Sequence, residues 1–266
     1  MSKDFVHLHV HTEYSLLDGA IRTKELAAKV SGFDTSLKAV AMTDHGVMFG
    51  AVEFYENCKA QGVKPIMGCE AYVDTSGISS RVNKRFNHLI LLAENDTGWH
   101  NLMKIISIAN TQGFYYKPRI DRAILETYHE GIIASSACLA GEIPQLILSG
   151  NFDGAVERAG YYRSVFGEEN FFLELMPNSL PEQAAVNKKL IEISKKTEIP
   201  VIATCDSHYL NREDYDWHKI LLRINTHADA SDDAFGFDRN EFYLMTPEEM
   251  YAKFEAEIPE ALSVGD

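Results

Sequence analysis

Short β-branched apolar runs alternate with amphipathic helical stretches along most of this chain, and that alternation limits the fold more than any other feature. The apolar runs cover residues 5–10, 39–43, 64–71, 88–93, 132–136, 171–175 and 201–203. The helical patterns between them cover residues 23–30, 50–61, 97–110, 153–166 and 181–197. Alternation of this kind predicts βαβ units and a mostly parallel α/β sheet, because parallel strands need a long crossover and a helix usually supplies it. Seven strands suit a closed barrel better than a division into two domains; an open doubly wound sheet is the structural alternative. With 266 residues, 45% of them hydrophobic, the chain has ample material for one large core.

The barrel is expected over about residues 5–227, within a single domain spanning 1–266. Residues 74–87 and 113–122 interrupt the rhythm and read as loops. Residues 228–266 read as a peripheral strand and helix leading toward something larger, with Thr246 as N-cap and Pro247 at the first helical position.

Charge and composition exclude several classes of function. The net charge is −14, so the surface as a whole repels nucleic acid and anionic membranes. A phosphate-bearing substrate would need a local positive centre, either a metal or a basic patch. The opening residues MSKDFVHLHV carry charges and histidines where a signal peptide has its apolar core. No apolar run approaches the ~18 residues of a membrane span. The four cysteines, Cys58, Cys69, Cys138 and Cys205, form no CxxC pair and no regular framework, which points to a reducing cytoplasm with no membrane partner. No Walker P-loop, GxGxxG or GxSxG motif is present.

Unusual residues recur where the strands should end. The stretch HLHVHTEYSLLDG, residues 7–19, sets three histidines two apart, and a strand would place His7, His9 and His11 on one face. Function in α/β barrels collects beyond the carboxyl ends of the strands. There the sequence offers His9, His11 and Asp18, then Asp44 and His45 in TDHG, Glu70 in GCEAY, Cys138 in SSACLAGE, and Asp206 and His208 in TCDSHY. His88 opens its strand, at the wrong end for this rule, and is expected to enter from the preceding loop. A lone histidine near a strand end is more often a hydrogen-bonded structural residue. Coincidence at one barrel mouth changes that reading, because clustered charges must be paired or coordinate metal. His9, His11, Asp18, His45, Glu70, His88, Cys138, Asp206 and His208 exceed the roughly four to six positions around one ion and suit two or three.

The stretches FVHLHVHTEYSLLDGA, MTDHGVMFGAVEFY, GVKPIMGCEAY, HLILLAENDTGWHNLMKI, GFYYKPRID, CLAGEIPQLI, FFLELM and TCDSHYL together carry a closer match. Over about residues 5–245 the chain resembles the amino-terminal PHP (polymerase and histidinol phosphatase) domains of bacterial replicative DNA polymerase III alpha subunits. The resemblance implies an α/β fold, a distorted (β/α)7 barrel, with a trinuclear metal site at the mouth. Carried over position by position, the implied ligands are His9, His11, Asp18, His45, Glu70, His88, Cys138 (where some members have histidine), Asp206 and His208. It further implies a 3′→5′ exonuclease that proofreads the DNA primer terminus, with water activated by the ions as nucleophile and no separate catalytic side chain. Zinc is the first choice of metal, with manganese or iron as alternatives. The implied partners are DNA, the polymerase core of a longer parent chain, and replisome subunits reached through it, in the bacterial cytoplasm. No palm, fingers or thumb sequence follows, so this chain is not expected to polymerise DNA on its own.

Other residues have plainer readings. His7, deeper on the strand, is expected to be a hydrogen-bonded residue behind the ligands or in the core; Asp44 to orient His45 or cap the next helix; and Glu174 to support the ligands, with packing or a surface pair as an equal reading. Cys69 and Cys205 point away from the site by alternation, and His100, His129, His218 and His227 receive no role. Tyr115, Tyr116, Lys117 and Arg119, with Arg81 and Arg85, mix aromatic and basic groups as DNA contacts do, although a loop packed on the barrel would look the same. Two rival functions remain: a catalytically silent, metal-stabilised scaffold, and a phosphomonoesterase of the histidinol phosphate phosphatase type. The complete ligand set weighs against the first, and GFYYKPRID weighs against the second.

Overall fold

The computed structural model describes residues 4–82, 84, 86–226 and 240–258. Its strands are β1 (Ala39–Met42), β2 (Lys64–Val73), β3 (Asn87–Ala93), β4 (Arg119–Ile120), β5 (Ile132–Ser135), β6 (Phe171–Leu175) and β7 (Val201–Ala203). The sheet runs in the order β1-β2-β3-β5-β6-β7, with β4 attached to the end of β2. All pairings are parallel except those of β3, which lies antiparallel to both β2 and β5.

Residues 7–11 join the two edges of this sheet. On one side His7 and Val10 carbonyls accept from Ala41 N and Thr43 N at 2.8 and 2.9 Å. On the other, His11 N donates to Ser207 O at 2.8 Å and Ser207 N donates to His9 O at 3.1 Å. The closure falls beyond the end of β7, so the barrel is tied at its mouth. At the other end an apolar cavity of about 200 Å³ opens between Leu8, Ile66, Phe172 and Ile202. The result is a distorted α/β barrel in which six of the seven expected strands form; residues 7–11 bridge its edges without forming a regular strand, and the two-residue β4 arises within residues 113–122, which read as a loop.

The expected first strand is broken by a bend at His9. Leu8 packs with Ala41, Ile90 and Leu92 inside the barrel, so the two-residue alternation fails between His7 and His9. Gly68 lies on the inner face of β2, where a Cβ would fall 2.6 Å from the Leu92 side chain and 2.8 Å from Leu91 O. Only glycine lets these strands approach so closely.

Helices cover the outside: α1 (Thr23–Ser31), α2 (Ala51–Ala60), α3 (Asp96–Thr111), α4 (Arg122–Tyr128), α5 (Glu142–Leu148), α6 (Phe152–Phe166) and α7 (Pro181–Thr197). The five predicted helices are present. The short α4 and α5, about two turns each, are too brief for periodicity to reveal, and α5 carries Pro144 in its first turn. Two further helices follow β7: α8 (Tyr215–Thr226) and α9 (Pro247–Glu257). As the sequence predicts, Thr246 caps α9: its hydroxyl accepts from Glu249 N, and the Glu249 carboxylate accepts from Thr246 N. No helix among the described residues is long and apolar enough to cross a membrane.

Odd-numbered positions of β2 (Cys69, Ala71, Val73) join Leu89 and Leu91 of β3 in the core under α3 to α7. Val10, Val40 and Met42 join Leu26, Phe54 and Cys58 in a second core under α1 and α2. Even-numbered positions of β2 therefore face the barrel interior, Glu70 and Tyr72 among them.

Arg119 is fully buried, and this corrects the expectation that it touches DNA. Its guanidinium is paired with buried Asp74 at 2.5 Å and donates to the carbonyls of Gly113, Ile78 and Ser80. These bonds tie residues 74–80 to the turn before β4. Arg85 lies outside the described residues. Replacing Arg119 by Met should leave the buried Asp74 carboxylate without its cation and cost about 3–5 kcal/mol of stability in urea unfolding; a loss under about 1 kcal/mol would show that the pair is dispensable.

Candidate metal centre

All nine candidate ligands meet in one contiguous network at the barrel mouth. Glu70, buried on β2, is its hub. Its Oε1 lies 3.4 Å from His9 Nε2 and 2.9 Å from His88 Nδ1. Its Oε2 lies 3.2 Å from His11 Nε2 and 2.9 Å from His45 Nδ1. Asp206 Oδ1 sits 3.1 Å from His9 Nε2 and 3.2 Å from His11 Nε2. On the outer side, Asp18 Oδ2 lies 2.9 Å from His45 Nε2 and 3.5 Å from His208 Nε2. Cys138 Sγ completes the group, 3.6 Å from His88 Nδ1 and 3.7 Å from Glu70 Oε1.

Strand direction explains His88. Because β3 runs antiparallel to β2, with Tyr72 opposite His88 and Glu70 opposite Ile90, the amino end of β3 lies at the same mouth as the carboxyl ends of its neighbours. His88 therefore reaches the cluster from within its strand, and the expected entry from the preceding loop is corrected. Asp206 takes a left-handed backbone (φ 53°), which an aspartate tolerates better than most residues. That reversal carries the chain from β7 to its pairing with residues 9–11.

A layer of polar groups fixes the ligands from behind. The Glu174 carboxylate lies 2.6 Å from His9 Nδ1 and accepts from Ser135 Oγ and Thr204 Oγ1, each at 2.6 Å. Ser15 Oγ lies 2.9 Å from His11 Nδ1 and donates to Asp44 at 3.0 Å. Asp44 also accepts from Thr12 N and Thr12 Oγ1. It thus shapes the turn after His11; α2 begins at Ala51 with Gly50 as its N-cap, and it gets no side-chain cap from Asp44. His7 stands apart from the cluster, so of its two expected roles the hydrogen-bonded core one holds and support of the ligands does not. Its Nε2 contacts Met245 O at 2.9 Å and its ring packs edge-on against Phe5, because the bend at His9 turns it out of the barrel. Burial lowers its pKa to about 4, so it is a neutral core residue.

The donor set fits cations better than protons. Nε2 of His9, Nε2 of His11, Nδ1 of His45, Oε2 of Glu70 and Oδ1 of Asp206 are all buried without a well-formed hydrogen bond, although they face one another. Orphaned buried polar atoms are rare in folded proteins, and several converging on one space mark a place for an ion. Three overlapping groups have mutually close donor atoms: His9, His11 and Asp206; His11, His45 and His208; and His45, Glu70 and His88. The groups overlap at His11 and His45, so they form one continuous set of donors rather than separate sites.

The electrostatics show how strongly the site calls for positive charge. Burial alone would push the carboxylates up and the imidazoles down. At Asp18 that burial effect is outweighed by His208 and His45, and at Glu70 by His88, His45 and His9; both carboxyls are held well below their usual range. At His45 burial is outweighed by Glu70 and Asp18, and its pKa rises to about 10. The carboxylates thus demand compensating positive charge at this mouth. Burial, with Glu70 and Asp206 nearby, pushes the Cys138 thiol up, so it ionises only against a cation.

Several contributors were not singled out in the sequence. Tyr72 stacks on His45 at 5.6 Å between ring centroids and meets His88 edge-on at 5.2 Å. Its place two residues beyond Glu70 was the available signal. Ser135 and Thr204 likewise share an inward face with known positions. His218, on α8, contacts Asp18 O at 2.6 Å and steadies that loop; nothing local in its sequence marks it. Around the mouth Tyr116, Lys117 and Arg81 are exposed and Tyr115 half-buried, with Arg81 over the Tyr115 ring.

The sequence profile of the PHP domain matches residues 7–178. DNA polymerase III subunit alpha of Aquifex aeolicus is 45% identical over 96% of this chain and 23% of its own length. The Borreliella burgdorferi protein of the same name is 43% identical over 97% of this chain and 23% of its length, and that of Thermus aquaticus 44% over 97% and 21%. The chain therefore spans less than a quarter of the curated relatives it matches. A solved amidohydrolase from Chromobacterium violaceum is 12% identical with a TM-score of 0.48, over 76% of this chain and 87% of its own.

Glu174→Gln keeps an acceptor beside His9 but removes the charge that orients and polarises the imidazole. Zinc affinity measured against a chromophoric chelator should fall about 10–100-fold; unchanged affinity would show that His9 is not a ligand supported in this way.

Proposed function

The chain belongs to the PHP family, and on that premise we propose that it is a metal-dependent phosphodiesterase, acting as a 3′→5′ exonuclease on a DNA primer terminus. The observation that carries this reading is the convergence of orphaned imidazole and carboxylate atoms beside an open cleft. His9, His11, Asp18, His45, Glu70, His88, Cys138, Asp206 and His208 would hold two or three divalent ions. The imidazoles and one thiol favour zinc, with manganese or iron as alternatives. Such ions would lower the pKa of a water and neutralise charge on the phosphoryl oxygens.

The chain's own residues do the rest. Glu174 and Ser15 lock the ring orientations of His9 and His11. Asp18 and His45 border the cleft through which a substrate arrives. Lys117 borders it too, and Arg81 lies close to the same loop, so a polyanion meets cations near the mouth of an otherwise acidic protein. The length of the relatives supports a parent chain whose polymerase core delivers the primer end, with replisome subunits beyond it, in the bacterial cytoplasm.

The test is incubation of zinc- or manganese-loaded chain with a 5′-labelled primer bearing a mismatched 3′ end. Stepwise shortening from the 3′ end is expected, reduced by at least about a hundredfold in His9→Ala and Asp18→Asn. Absence of shortening by fully metallated protein would contradict the exonuclease reading. Release of phosphate from monoesters alone would favour the phosphomonoesterase.

A further inference from the structure

We propose that the cleft above the cluster is a stacking seat for one unpaired nucleobase at a nucleic-acid end, walled by Phe49, Phe114 and Tyr116. The proposal rests on the phosphodiesterase reading and adds what the site selects. The cleft encloses about 380 Å³ and is bordered by Asp18 and His45, so it opens directly onto the cluster. That volume falls within the range of about 300–1,000 Å³ typical of small-ligand sites.

Its aromatic walls are turned to water. Phe49 is 69% exposed, Phe114 57% and Tyr116 58%. Large aromatics gathered around one concavity, without burial to reward them, mark a recognition surface. The backbone adds a second observation. Tyr116 has φ 61° and Leu17, on the facing loop, φ 62°. Bulky residues rarely adopt this left-handed conformation, and such strain concentrates at ligand clamps. The Tyr116 loop is braced to hold it: Tyr115 N donates to Lys117 O at 3.1 Å, Tyr115 packs edge-on against Tyr116 at 4.6 Å, and buried Arg119 anchors the base of the loop.

Lys117 supplies the complementary charge. It borders the same cleft, 5.3 Å over the Tyr72 ring, where the phosphate next to a seated base would lie. Stacking on aromatic rings is tolerant of base identity. A paired base is already stacked in its duplex and must be extracted before it can enter, and extraction costs least at a mismatched or frayed end. The seat therefore selects unpaired termini without reading their sequence.

The test uses metal-free chain and fluorescence anisotropy, so its outcome is independent of catalysis. Two labelled single strands are compared, identical except that one ends in an ordinary 3′ nucleotide and the other in an abasic tetrahydrofuran residue. The parent should bind the base-bearing strand about tenfold more tightly. The double variant Phe49→Ala/Tyr116→Ala, at exposed positions, should lose that difference with an unchanged circular dichroism spectrum and melting temperature. Equal binding of both strands by the parent, no binding of either, or full preference in the double variant overturns the seat. Metal-loaded parent that shortens neither strand contradicts the phosphodiesterase reading instead, and the binding comparison still decides the seat.

Discussion

A buried carboxylate surrounded by imidazoles, Glu70 among His9, His11, His45 and His88, is the interaction on which the rest of this structure depends. A charge so far from water needs pairing from every side, or its burial costs more than the fold can offset. Here the partners come from residues 7–11, the loop after β1 and the start of β3, and Asp206 repeats the demand from beyond β7. No single segment could satisfy it. The barrel closes at its mouth because the groups that must meet are carried on different strands, and residues 7–11 bond to both edges there.

Rigidity follows from the same arrangement. Each metal-capable imidazole of residues 9–11 is held from behind by a group that is itself hydrogen-bonded: Glu174 through Ser135 and Thr204, Ser15 through Asp44. Donors positioned this firmly lose little freedom when an ion arrives, which is how orienting shells raise affinity. On the outer side Asp18 and His45 are partly exposed and meet the cleft.

Much of this was legible in the sequence because it rests on local patterns. Apolar runs located six of the strands, amphipathic periodicity located the long helices, and the coincidence of His, Asp, Glu and Cys near strand ends named every residue of the cluster. What escaped depends on contacts distant in the chain. Periodicity does not encode strand direction, so His88 stood at the wrong end until β3 proved antiparallel. The bend at His9 breaks an alternation that the text HLHVH displays without interruption. Arg119 reads as a DNA contact beside two tyrosines, yet its partner Asp74 lies in another loop and buries it. His218 serves the site from a position whose neighbours in sequence give no notice of it.

The central claim is that the cluster is built for cations, and metal content tests it most directly. Elemental analysis of folded chain equilibrated with zinc and freed of excess should find two to three ions per chain, falling toward none on replacement of Glu70 by Gln with the fold retained. Fewer than one ion per chain in well-folded protein would contradict the account, and would leave its buried charges to be explained by protons alone.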